Sequence, residues 1–566
     1  MCFETFDIET VNIDGNLVPY AVAYSDDTTT HYRCFPSYST SSVCEFMCEK
    51  FKDGYVYYAH NLIFDFFVVV AGFERLHIKY DWVYINNELY EVSVVKDKKR
   101  FKLRCSYKLL TFSLKKMYPQ LTSKQKMYFP YEVLGRWDAY IPCSSFPLIE
   151  KKYLSLGIGE YLKLYSVNDI EMLKESLISY FAILKNNNIH FNPKSLSASG
   201  VALNFYKKHY NDINFNLKKK VANDLRTAYF GGRCEVFGNK KNCEKVLYFD
   251  FRGMYQQCMS EDLPYKDFIF QKADCCVEKP GFYYIVARAE HNIPVLPTRK
   301  ERLMFNNGYV VGLFWYEEIL LFLKKSNVIY FEVKYGYVCD AYAPVLVEFV
   351  SRLAGLRDCG SVVSTIGKQL INSFYGRLAL RDEVEVLSIK EGSVSFDEYG
   401  LVDEFLFEKK TIKKKNQSNV AIAAAITSKA RIKLWGAFEE VVNSGGRLLY
   451  SDTDSIFAAY PTHADIEDTL LGKYVLFKKQ PPSLEILDAV FIAPKTYGIK
   501  YADGSEVVRT KGFSDRELTF DKLKAGFIKG VPSISYKKEF IQKYAMRVQQ
   551  VVKTENLDIN VSSKRK

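Results

Sequence analysis

The sequence predicts a multidomain α+β protein, in which strand-forming and helix-forming segments are distributed over more than one domain. The chain has 566 residues, which is too long for a single hydrophobic core. This length indicates three or four domains. Its apolar content of 48% and charged content of 25% are typical of a folded protein. A run of asparagines, Asn186 to Asn188, followed by a serine-rich stretch is typical of a domain boundary. We therefore expect an N-terminal domain over residues 1–188 and a larger part over residues 189–566.

Composition indicates which kind of partner the protein binds and which compartment it occupies. Lys and Arg number 78 against 66 Asp and Glu, and the net charge of +12 favours a polyanionic partner. No apolar run reaches the length of a membrane helix, and the N-terminus lacks a basic region followed by an apolar one, so we expect no membrane span and no secretion. The 13 cysteines lack zinc-finger spacing, and we expect reduced thiols in an intracellular protein of the cytoplasm or of a eukaryotic nucleus.

The first predicted strand, Cys2 to Thr10, carries Asp7 and Glu9. Residues two apart in a strand point to the same face, so these two carboxylates are expected to lie side by side. A second predicted strand, Tyr55 to Ala59, leads into a polar segment ahead of an apolar stretch. The candidate side chains of that segment are His60, Asn61, Phe64 and Asp65.

A predicted helix over Leu162 to Leu173 places Tyr165 and Asp169 on one face, because residues four apart in a helix are neighbours. Three separate segments thus deliver four carboxylates: Asp7, Glu9, Asp65 and Asp169. Four carboxylates suit two-metal phosphodiester hydrolysis, in which one metal activates water, the other stabilises the leaving oxygen, and roughly 4 Å separates them. Tyr165 could orient the water. Any one of these acids alone is more often a surface residue, so the hypothesis depends on the combination.

The second candidate site is the segment Leu448 to Phe457, in which apolar residues flank a polar tip. The pattern predicts a strand, a tight turn and a returning strand, with Asp452 and Asp454 at the bend and on one face. Because like charges repel, the pair makes sense if a divalent cation lies between it and a polyanionic substrate. The common alternative is an aspartate-rich turn that caps its own backbone. A calcium loop is excluded, since its glycine and glutamate positions hold Phe457 and His463.

Further candidate side chains lie between residues 189 and 566. The strand Lys245 to Phe249 ends at Asp250, where a carboxylate beside a turn can hold a metal while backbone amides face a triphosphate. The predicted helix Ser364 to Leu380 carries Lys368 and Tyr375 on one stripe, where a cation and an aromatic ring could bind the phosphates and the base of a nucleotide. An ordinary amphipathic helix is the alternative. The other candidates in this part of the chain are Tyr229, Gly231, Gly232, Tyr255, Asn372, Thr427, Arg431, Lys495 and Tyr497.

Taken in order, these motifs resemble those of family B DNA polymerases. The three exonuclease motifs of that family are similar to Asp7-Ile8-Glu9, Asn61-x3-Asp65 and Tyr165-x3-Asp169. Its polymerase motifs resemble Asp250 with Tyr255, Lys368-x3-Asn372-Ser373-x-Tyr375-Gly376, Tyr450-x-Asp452-Thr453-Asp454 and Lys495-x-Tyr497. The branch that uses a protein as primer, found in phages, viruses and linear plasmids, has motifs similar to Tyr229-x-Gly231-Gly232 and Thr427-x2-Ala430-Arg431. Single motifs are unspecific, whereas the ordered set covers essentially the whole chain.

The resemblance implies a ribonuclease-H-like exonuclease domain followed by a polymerase domain with palm, fingers and thumb. Asp250 and Asp454 would hold two Mg2+ ions, for which Mn2+ could substitute, with Asp452 in a supporting role. The four N-terminal carboxylates would hold the metals of the exonuclease. The nucleotide and the primer end would be bound by Tyr255, which excludes a 2′-hydroxyl, by Lys368, Asn372 and Tyr375, and by Lys495 and Tyr497. The DNA contacts would be His60, Asn61, Phe64, Tyr229, Gly231, Gly232, Thr427 and Arg431. The family usually has Ser-Leu-Tyr-Pro where this chain has Gly253-Met254-Tyr255-Gln256.

The same resemblance implies a division of the polymerase domain. The expected segments are the palm over about 189–292 and 416–515, the fingers over 357–384 and the thumb over 516–566. The spacing between motifs leaves two excess segments. The first, 293–356, is expected to be a separate strand–helix–strand unit that docks a terminal protein. The second, 385–415, is expected to be a β-hairpin with a basic flank that closes around the template and aids strand displacement.

The expected partners are a DNA template and primer, deoxynucleoside triphosphates, a terminal protein and a single-stranded DNA-binding protein. The chain would act as a monomer or as a heterodimer with the terminal protein. A reverse transcriptase is a poorer explanation, because it would not carry four carboxylates in an N-terminal domain. A DNA-binding scaffold with dead sites would have lost carboxylates, and all are present. A family B enzyme that extends only nucleic-acid primers remains the alternative.

Overall fold

The computed structural model describes residues 2–13, 16–85, 88–117, 121–136, 138–272, 277–300, 302–356, 361–381, 383–389, 407–413, 417–462, 485–511, 518–528, 533–544 and 547–558. No helix within these ranges has both the length and the apolar character that crossing a membrane requires. The ten cysteines in the same ranges form no disulfide.

The N-terminal region is a mixed sheet between two helical layers. Its elements are β1 (Phe3–Ile13), β2 (Asn16–Ser25), β3 (Thr30–Cys34), α1 (Thr40–Lys50), β4 (Val56–Ala59), α2 (Leu62–Phe67), α3 (Val70–Arg75), β5 (Lys79–Ile85), β6 (Glu88–Lys96), β7 (Lys99–Cys105), α4 (Tyr107–Leu110), α5 (Leu114–Met117) and α6 (Ile158–Asn186). The strands follow the order β5-β6-β7-β4-β1-β2, and β3 pairs with β2. β1 runs parallel to β4 and antiparallel to β2, so it lies in the middle of the sheet.

Alternation along β1 positions the first candidate site. Phe6 and Ile8 are buried in the core formed with α1 and α3. Asp7 and Glu9, on the opposite face, are directed at α6, where Ser166 donates a 2.8 Å hydrogen bond to Oε1 of Glu9. This face of the strand is therefore polar because it borders the candidate site.

The described part of the C-terminal region contains four further sheets, two of them with only two strands, and several helices. Its elements are α7 (Ala198–His209), α8 (Lys219–Thr227), β8 (Cys234–Val236), β9 (Glu244–Asp250), α9 (Met254–Met259), β10 (Leu263–Pro264), β11 (Phe268–Lys272), β12 (Gly281–Glu290), β13 (Thr298–Arg299), β14 (Leu303–Met304), β15 (Gly308–Trp315), α10 (Tyr316–Lys325), β16 (Asn327–Cys339), β17 (Tyr342–Ala343), α11 (Val347–Ala354), α12 (Ser361–Leu378), β18 (Glu383–Ile389), β19 (Phe407–Lys413), α13 (Val420–Asn443), β20 (Arg447–Asp452), β21 (Ser455–Pro461), β22 (Ile486–Ala493), β23 (Thr496–Tyr501), β24 (Glu506–Arg509), α14 (Phe520–Ile528), β25 (Ser533–Tyr544) and β26 (Arg547–Asp558).

The largest of these sheets follows the order β24-β23-β22-β9-β21-β20-β8 and is antiparallel. Helix α13 packs against it, and Ala421, Ala423, Ala424 and Ala425 near the start of the helix are completely buried in the hydrophobic core. Small side chains let the helix approach its neighbours closely. The sheet carries the predicted aspartate hairpin and the strand that ends at Asp250.

The segment predicted to be a separate insertion, residues 293–356, shares its sheet with earlier strands. Strand β12 lies between β15 and β16, and β11 extends the sheet beyond β16. Helix α10 covers one face, where Ile285 and Val310 pack against Ile319 and Phe322. The predicted strand, helix and strand are confirmed, but the prediction of a self-contained unit is wrong, because β12 is its central strand.

The predicted hairpin of the second excess segment is formed by β18 and β19, which pair antiparallel. Its second strand carries Lys409, Lys410 and Lys413, and residues 390–406, which connect the two strands, lie outside the described residues. β18 also pairs with β5 through Val386 and Ile85, and β26 pairs with β2 through Asn16 and Gln549. Both edges of the N-terminal sheet are thus extended by strands from the C-terminal region.

The predicted boundary near residue 188 is a break between helices and not a break in the core. Helix α6 ends at Asn186 and α7 begins at Ala198. Tyr180 and Leu184 of α6 belong to the same hydrophobic cluster as Tyr206 of α7 and Ile422 of α13. The two regions are therefore packed against each other through a shared core.

Candidate active sites

Two carboxylate clusters lie in different regions. The C-terminal cluster contains the turn of residues 452–454, here called the aspartate turn. The turn is tight, because Asp452 lies opposite Ser455 in the ladder between β20 and β21. Thr453 adopts the left-handed conformation with a φ of 64°. The neighbouring strand β9 places Asp250 opposite Ser455 as well. The turn, and not a continuous strand, separates Asp452 from Asp454, so the argument that both point to one strand face does not apply here.

Electrostatics show which carboxylates of this cluster are close. Burial, followed by the charge of Asp250, raises the pKa of Asp454 to about 6. Asp452 acts in the same direction with a smaller effect, and Lys368 of α12 opposes it. On the other side, Nζ of Lys495 lies 3.6 Å from Oδ1 of Asp452. Asp250 and Asp454 are therefore the mutually repelling pair that a divalent cation would relieve.

Residues 229–233, here called the linker loop, pack directly on the aspartate turn. A Cβ atom on Gly232 would lie 2.8 Å from the side chain of Thr453, so a larger residue does not fit there without a shift. The backbone N–H of Thr453 donates to the carbonyl of Arg233 at 2.7 Å. A Cβ atom on Gly231 would meet no described atom within 4 Å. Of the two glycines, Gly232 is thus the one that permits a close approach between chain segments.

The side chains predicted to bind a nucleotide surround the same turn. The rings of Tyr255 on α9 and Tyr375 on α12 lie 4.8 Å apart, and the hydroxyl of Tyr375 lies 3.2 Å from that of Tyr229. Burial raises the pKa of Tyr255 to about 12, so its hydroxyl stays neutral. Lys368 and Asn372 are exposed on α12. Gly253, at the position where the family usually has serine, caps α9 with a φ of 66°, a conformation that favours glycine.

The predicted primer-binding residues lie at the turn between β22 and β23. Lys495 is exposed and left-handed, with a φ of 64°. Its backbone N–H donates to the hydroxyl of Tyr450 at 2.8 Å, and the ring of Tyr497 lies 5.2 Å from the Tyr450 ring. Tyr450 thus fixes the position from which Lys495 reaches Asp452.

The N-terminal cluster lies between β1, α2 and α6. Oδ1 of Asp65 accepts a 3.1 Å hydrogen bond from the backbone N–H of Ile8, and the Asp65 and Asp7 side chains are hydrogen-bonded to each other. Burial, followed by Asp169, raises the pKa of Asp7 to about 6. Burial, followed by Asp7, raises the pKa of Glu9 to about 8 and that of Asp65 well above its ordinary value. The three elements predicted to supply carboxylates therefore bring them together.

The structure adds Lys126, which the sequence motifs did not identify. Its ammonium forms an ion pair with Asp169 and donates a 2.5 Å hydrogen bond to the hydroxyl of Tyr165. The hydroxyl of Tyr165 also lies 2.7 Å from that of Tyr131. The positive charge lowers the pKa values of Asp7 and Glu9, against the effect of burial. Nothing in the spacing of Lys126 distinguishes it from neighbouring lysines, so sequence reasoning had no signal for it.

The predicted DNA contacts of the N-terminal region lie beside this cluster. Burial, followed by the charge of Lys126, lowers the pKa of His60 to about 4, so its ring is neutral. Nδ1 of His60 lies 3.1 Å from Oγ of Ser106. Asn61 is exposed in a left-handed conformation at the start of α2, and Phe64 is half-buried. Their contact with DNA remains a prediction.

Two other predicted DNA contacts, Thr427 and Arg431, are buried, and their contact with DNA stays a prediction. Thr427 is inaccessible to solvent, and its hydroxyl donates to the carbonyls of Ala423 and Ala424 within α13. Arg431 is 4% exposed, and its guanidinium is held by Glu318 of α10 and by carbonyls of the linker loop. Both side chains form their hydrogen bonds inside the protein, because this part of α13 is buried in the core.

The donor chemistry of both clusters fits divalent cations, although the side chains are not arranged as a finished coordination sphere. Within the described residues, no three His, Cys, Asp or Glu side chains converge on one metal-binding point. Oδ1 of Asp169 is buried and accepts no hydrogen bond from those residues. Carboxylates whose pKa values are raised by burial and then by mutual repulsion, together with an unsatisfied carboxylate oxygen, are what a hard cation would stabilise.

Comparison with known proteins identifies the family. The sequence profile of the family described as DNA polymerase type B, organellar and viral, matches residues 47–430, and the chain therefore belongs to this family. A probable DNA polymerase of Neurospora intermedia is 25% identical over 549 residues, which cover 84% of this chain and 55% of the relative. The DNA-directed DNA polymerase of enterobacteria phage PRD1 is 26% identical over 338 residues, which cover 56% of this chain and 57% of the relative. The chain thus spans little more than half the length of these two relatives.

The fold is that of a solved polymerase. Phi29 DNA polymerase complexed with primer-template DNA and incoming nucleotide substrates matches with a TM-score of 0.77 and 18% identity, covering 98% of this chain and 100% of that chain. At this identity the match shows the fold alone. It confirms the predicted arrangement of a ribonuclease-H-like domain followed by palm, fingers and thumb, and together with the family it confirms the resemblance drawn from the motifs.

Proposed function

We propose that the chain is a DNA-directed DNA polymerase with a 3′–5′ proofreading exonuclease, and that it replicates a linear viral or plasmid genome inside the host cell. The observation that carries the polymerase activity is the convergence of Asp250 and Asp454 beside the aspartate turn, facing Lys368. A nucleotide triphosphate needs such a combination of metal-binding carboxylates and a cation for its phosphates.

Each residue around the aspartate turn has a different role in nucleotide addition. Two Mg2+ ions, for which Mn2+ can substitute, would be held by Asp250 and Asp454 and would activate the primer hydroxyl and neutralise the triphosphate charge. Lys368, exposed on α12, binds the phosphates, and the ring of Tyr255 packs against the deoxyribose and excludes a 2′-hydroxyl. Lys495 holds the primer end from the far side of Asp452, at 3.6 Å from its carboxylate.

The N-terminal cluster would carry the exonuclease. Asp7, Glu9, Asp65 and Asp169 would hold its metal ions. Burial, followed by a neighbouring carboxylate, raises the pKa values of Asp7, Glu9 and Asp65, and Oδ1 of Asp169 accepts no bond from the described residues. Tyr165, held between Lys126 and Tyr131, orients the attacking water through its hydroxyl. This arrangement supports hydrolysis of a DNA strand end at a site separate from synthesis.

The proposal extends to the primer, which would be a hydroxyl of a terminal protein. The sheet of β11, β12, β15 and β16 is covered by α10 on one face only. The opposite face carries Tyr309, Val311 and Tyr330, which are 68%, 52% and 45% exposed. Arg288 lies opposite both tyrosines in the ladders, so these side chains form one patch. An exposed aromatic and apolar patch is typical of a protein interface.

The β18–β19 hairpin supports the further proposal of strand displacement. Because β18 pairs with β5, the hairpin bridges the N-terminal sheet and the α12–α13 region. Such a bridge can enclose a template strand and separate it from the displaced strand, to which a single-stranded DNA-binding protein would then bind.

A primer-extension assay tests the polymerase proposal. The purified chain is given a primed single-stranded DNA template and deoxynucleotides, with Mg2+, with Mn2+ or with a chelator. We expect extension in either metal, none with the chelator, and degradation of the primer when nucleotides are withheld. Absence of extension in both metals would refute the polymerase proposal, and absence of degradation would refute the exonuclease.

A further inference from the structure

Glu318, in the first turn of α10, is a buried carboxylate that lies outside both candidate active sites. It is 1% exposed. Its Oε1 and Oε2 accept hydrogen bonds from Nε and Nη2 of Arg431, each at 2.7 Å, and Oε2 also accepts a 2.8 Å bond from the hydroxyl of Ser428. A two-pronged ion pair of this kind fixes the plane of the guanidinium, which a single contact would not do.

The other end of the guanidinium is bonded to the linker loop. Nη1 of Arg431 donates to the carbonyl of Phe230 at 2.9 Å and to that of Gly231 at 3.1 Å. The loop continues through Gly232, which packs on Thr453, to Arg233, whose carbonyl accepts the Thr453 N–H. A continuous set of contacts therefore connects Glu318 to the aspartate turn.

From this connection we infer that Glu318 is a positioning residue for nucleotide addition. It fixes the Arg431 guanidinium, the guanidinium fixes the linker loop, and the loop supports the turn that holds Asp452 and Asp454. The inference rests on the proposed polymerase function. Glutamine at this position would keep the shape but lose the charge, leaving a buried guanidinium without an anionic partner. We expect the substitution to displace the loop and, with it, Asp454. The rate of nucleotide addition should then fall, because small displacements of reacting groups lower rates strongly.

The alternative for Arg431 is the predicted direct contact with DNA, and the two roles differ in what they change. A lost phosphate contact weakens binding of the primer-template and reduces the slope of log Kd against log salt by about 0.9. A lost positioning contact lowers the maximal rate of nucleotide addition and leaves both the Kd and its salt slope unchanged. Rate and affinity are therefore measured separately, in single-turnover addition of one nucleotide and in DNA-binding titrations at several salt concentrations.

The test compares Glu318→Gln with Glu317→Gln in the full chain. Glu317 is a matched control on the same helix, since it accepts 2.8 Å bonds from Lys429 instead. We expect Glu318→Gln to lower the maximal rate about 10- to 100-fold, with Kd and salt slope within about twofold of the unmodified chain, while Glu317→Gln stays within about twofold in all three. Arg431→Lys should lower the rate similarly, and the double variant Glu318→Gln with Arg431→Lys should be no slower than either alone, because the two residues act as one unit.

The remaining outcomes overturn the inference. Equal losses of the maximal rate in Glu318→Gln and Glu317→Gln would mean that nucleotide addition depends on α10 in general and not on Glu318 in particular. Weaker binding of the primer-template, with a smaller salt slope and an unchanged rate of nucleotide addition, would make Arg431 a DNA contact. If Glu318→Gln also lost exonuclease activity and its thermal transition, the ion pair would be a stability element. If the unmodified chain adds no nucleotide although it degrades DNA, the proposed function itself fails, and this result is distinguishable from all of the above.

Discussion

Asp250, the last residue of β9, lies directly opposite Ser455, the residue that follows Asp454. This register brings two carboxylates from distant parts of the sequence together, and burial, followed by the charge of Asp250, raises the pKa of Asp454 to about 6. The other cluster, around Asp7 and Asp65, belongs to a different sheet. The two proposed activities therefore use different carboxylates and should be separable by substitution.

Asp454→Ala should abolish DNA synthesis and leave degradation of single strands intact. Loss of a metal-binding carboxylate removes several kcal/mol of transition-state stabilisation, so we expect at least about a thousandfold loss of rate. The double variant Asp7→Ala with Glu9→Ala should show the reverse. Both activities are measured on the same labelled primer. Extension by Asp454→Ala at near the unmodified rate would contradict the assignment.

Tyr255→Val should admit ribonucleotides. The aromatic ring rejects a 2′-hydroxyl by steric clash, so a smaller side chain should lower the preference for deoxynucleotides by about tenfold or more. The measurement is the ratio of kcat/KM for the two kinds of nucleotide. Tyr255→Phe keeps the ring and serves as the control, and it should keep the preference. An unchanged ratio in Tyr255→Val would remove Tyr255 from this role.

Lys126→Met should impair the exonuclease and spare synthesis. The ammonium holds Asp169 and Tyr165 and lowers the pKa values of Asp7 and Glu9. Without it we expect about a tenfold or larger loss of degradation rate, with the pH profile shifted to higher pH. Lys124→Met is the matched control, because Lys124 pairs with Glu171 instead. Equal activity in the two variants would show that Lys126 has no special role.

The metal-free protein should be more stable at pH 6 than at pH 8. The pKa of Asp7 rises in the folded state from 3.8 to about 6, and that of Glu9 from 4.5 to about 8. Between the unfolded and the folded pKa of each group, the folded form binds more protons than the unfolded chain. The free energy of unfolding therefore falls as pH rises through about 4 to 8. Calorimetry in a chelator should show a lower Tm at pH 8, by roughly 1 °C for each kcal/mol lost. Glu9→Gln should flatten the dependence, and a Tm that rises with pH in the unmodified chain but not in this variant would contradict the prediction.

Tyr309→Ser combined with Tyr330→Ser should prevent protein priming without affecting extension of a DNA primer. The two side chains are exposed on the open sheet face, so their loss should remove an interface and not a core. We expect at least a tenfold loss in labelling of the terminal protein by a deoxynucleotide. Tyr140→Ser, at a tyrosine that is 90% exposed in the N-terminal region, is the control. If no companion protein becomes labelled by the unmodified enzyme, the priming proposal fails while the polymerase proposal stands.

Local sequence patterns predicted the elements that carry the carboxylates. Alternation around Asp7 and Glu9 gave the strand β1, and the apolar residues flanking Asp452 and Asp454 gave the hairpin. These predictions succeeded because strand alternation and turn chemistry depend on nearest neighbours along the chain. They located each acid on its element, and the ordered motifs then indicated which elements meet.

Features that depend on distant pairing were missed. Arg431 is buried by an ion pair with Glu318, on a helix far away in sequence, so its motif suggested a DNA contact. The central position of β12 in the sheet of the first excess segment was missed for the same reason, since register between distant strands leaves little trace in either strand. Lys126 reaches Asp169 from an irregular segment, where no periodicity constrains a side chain.

The shared hydrophobic cluster has a consequence for synthesis of the protein in the cell. It joins Leu184, at the end of α6, to Phe438 in α13, about 250 residues later. At roughly 5–20 residues per second, a ribosome needs roughly 10 to 50 s to translate that interval. During this time the apolar side of α6 lacks its final partners, so the nascent chain should be a substrate for chaperones until α13 emerges.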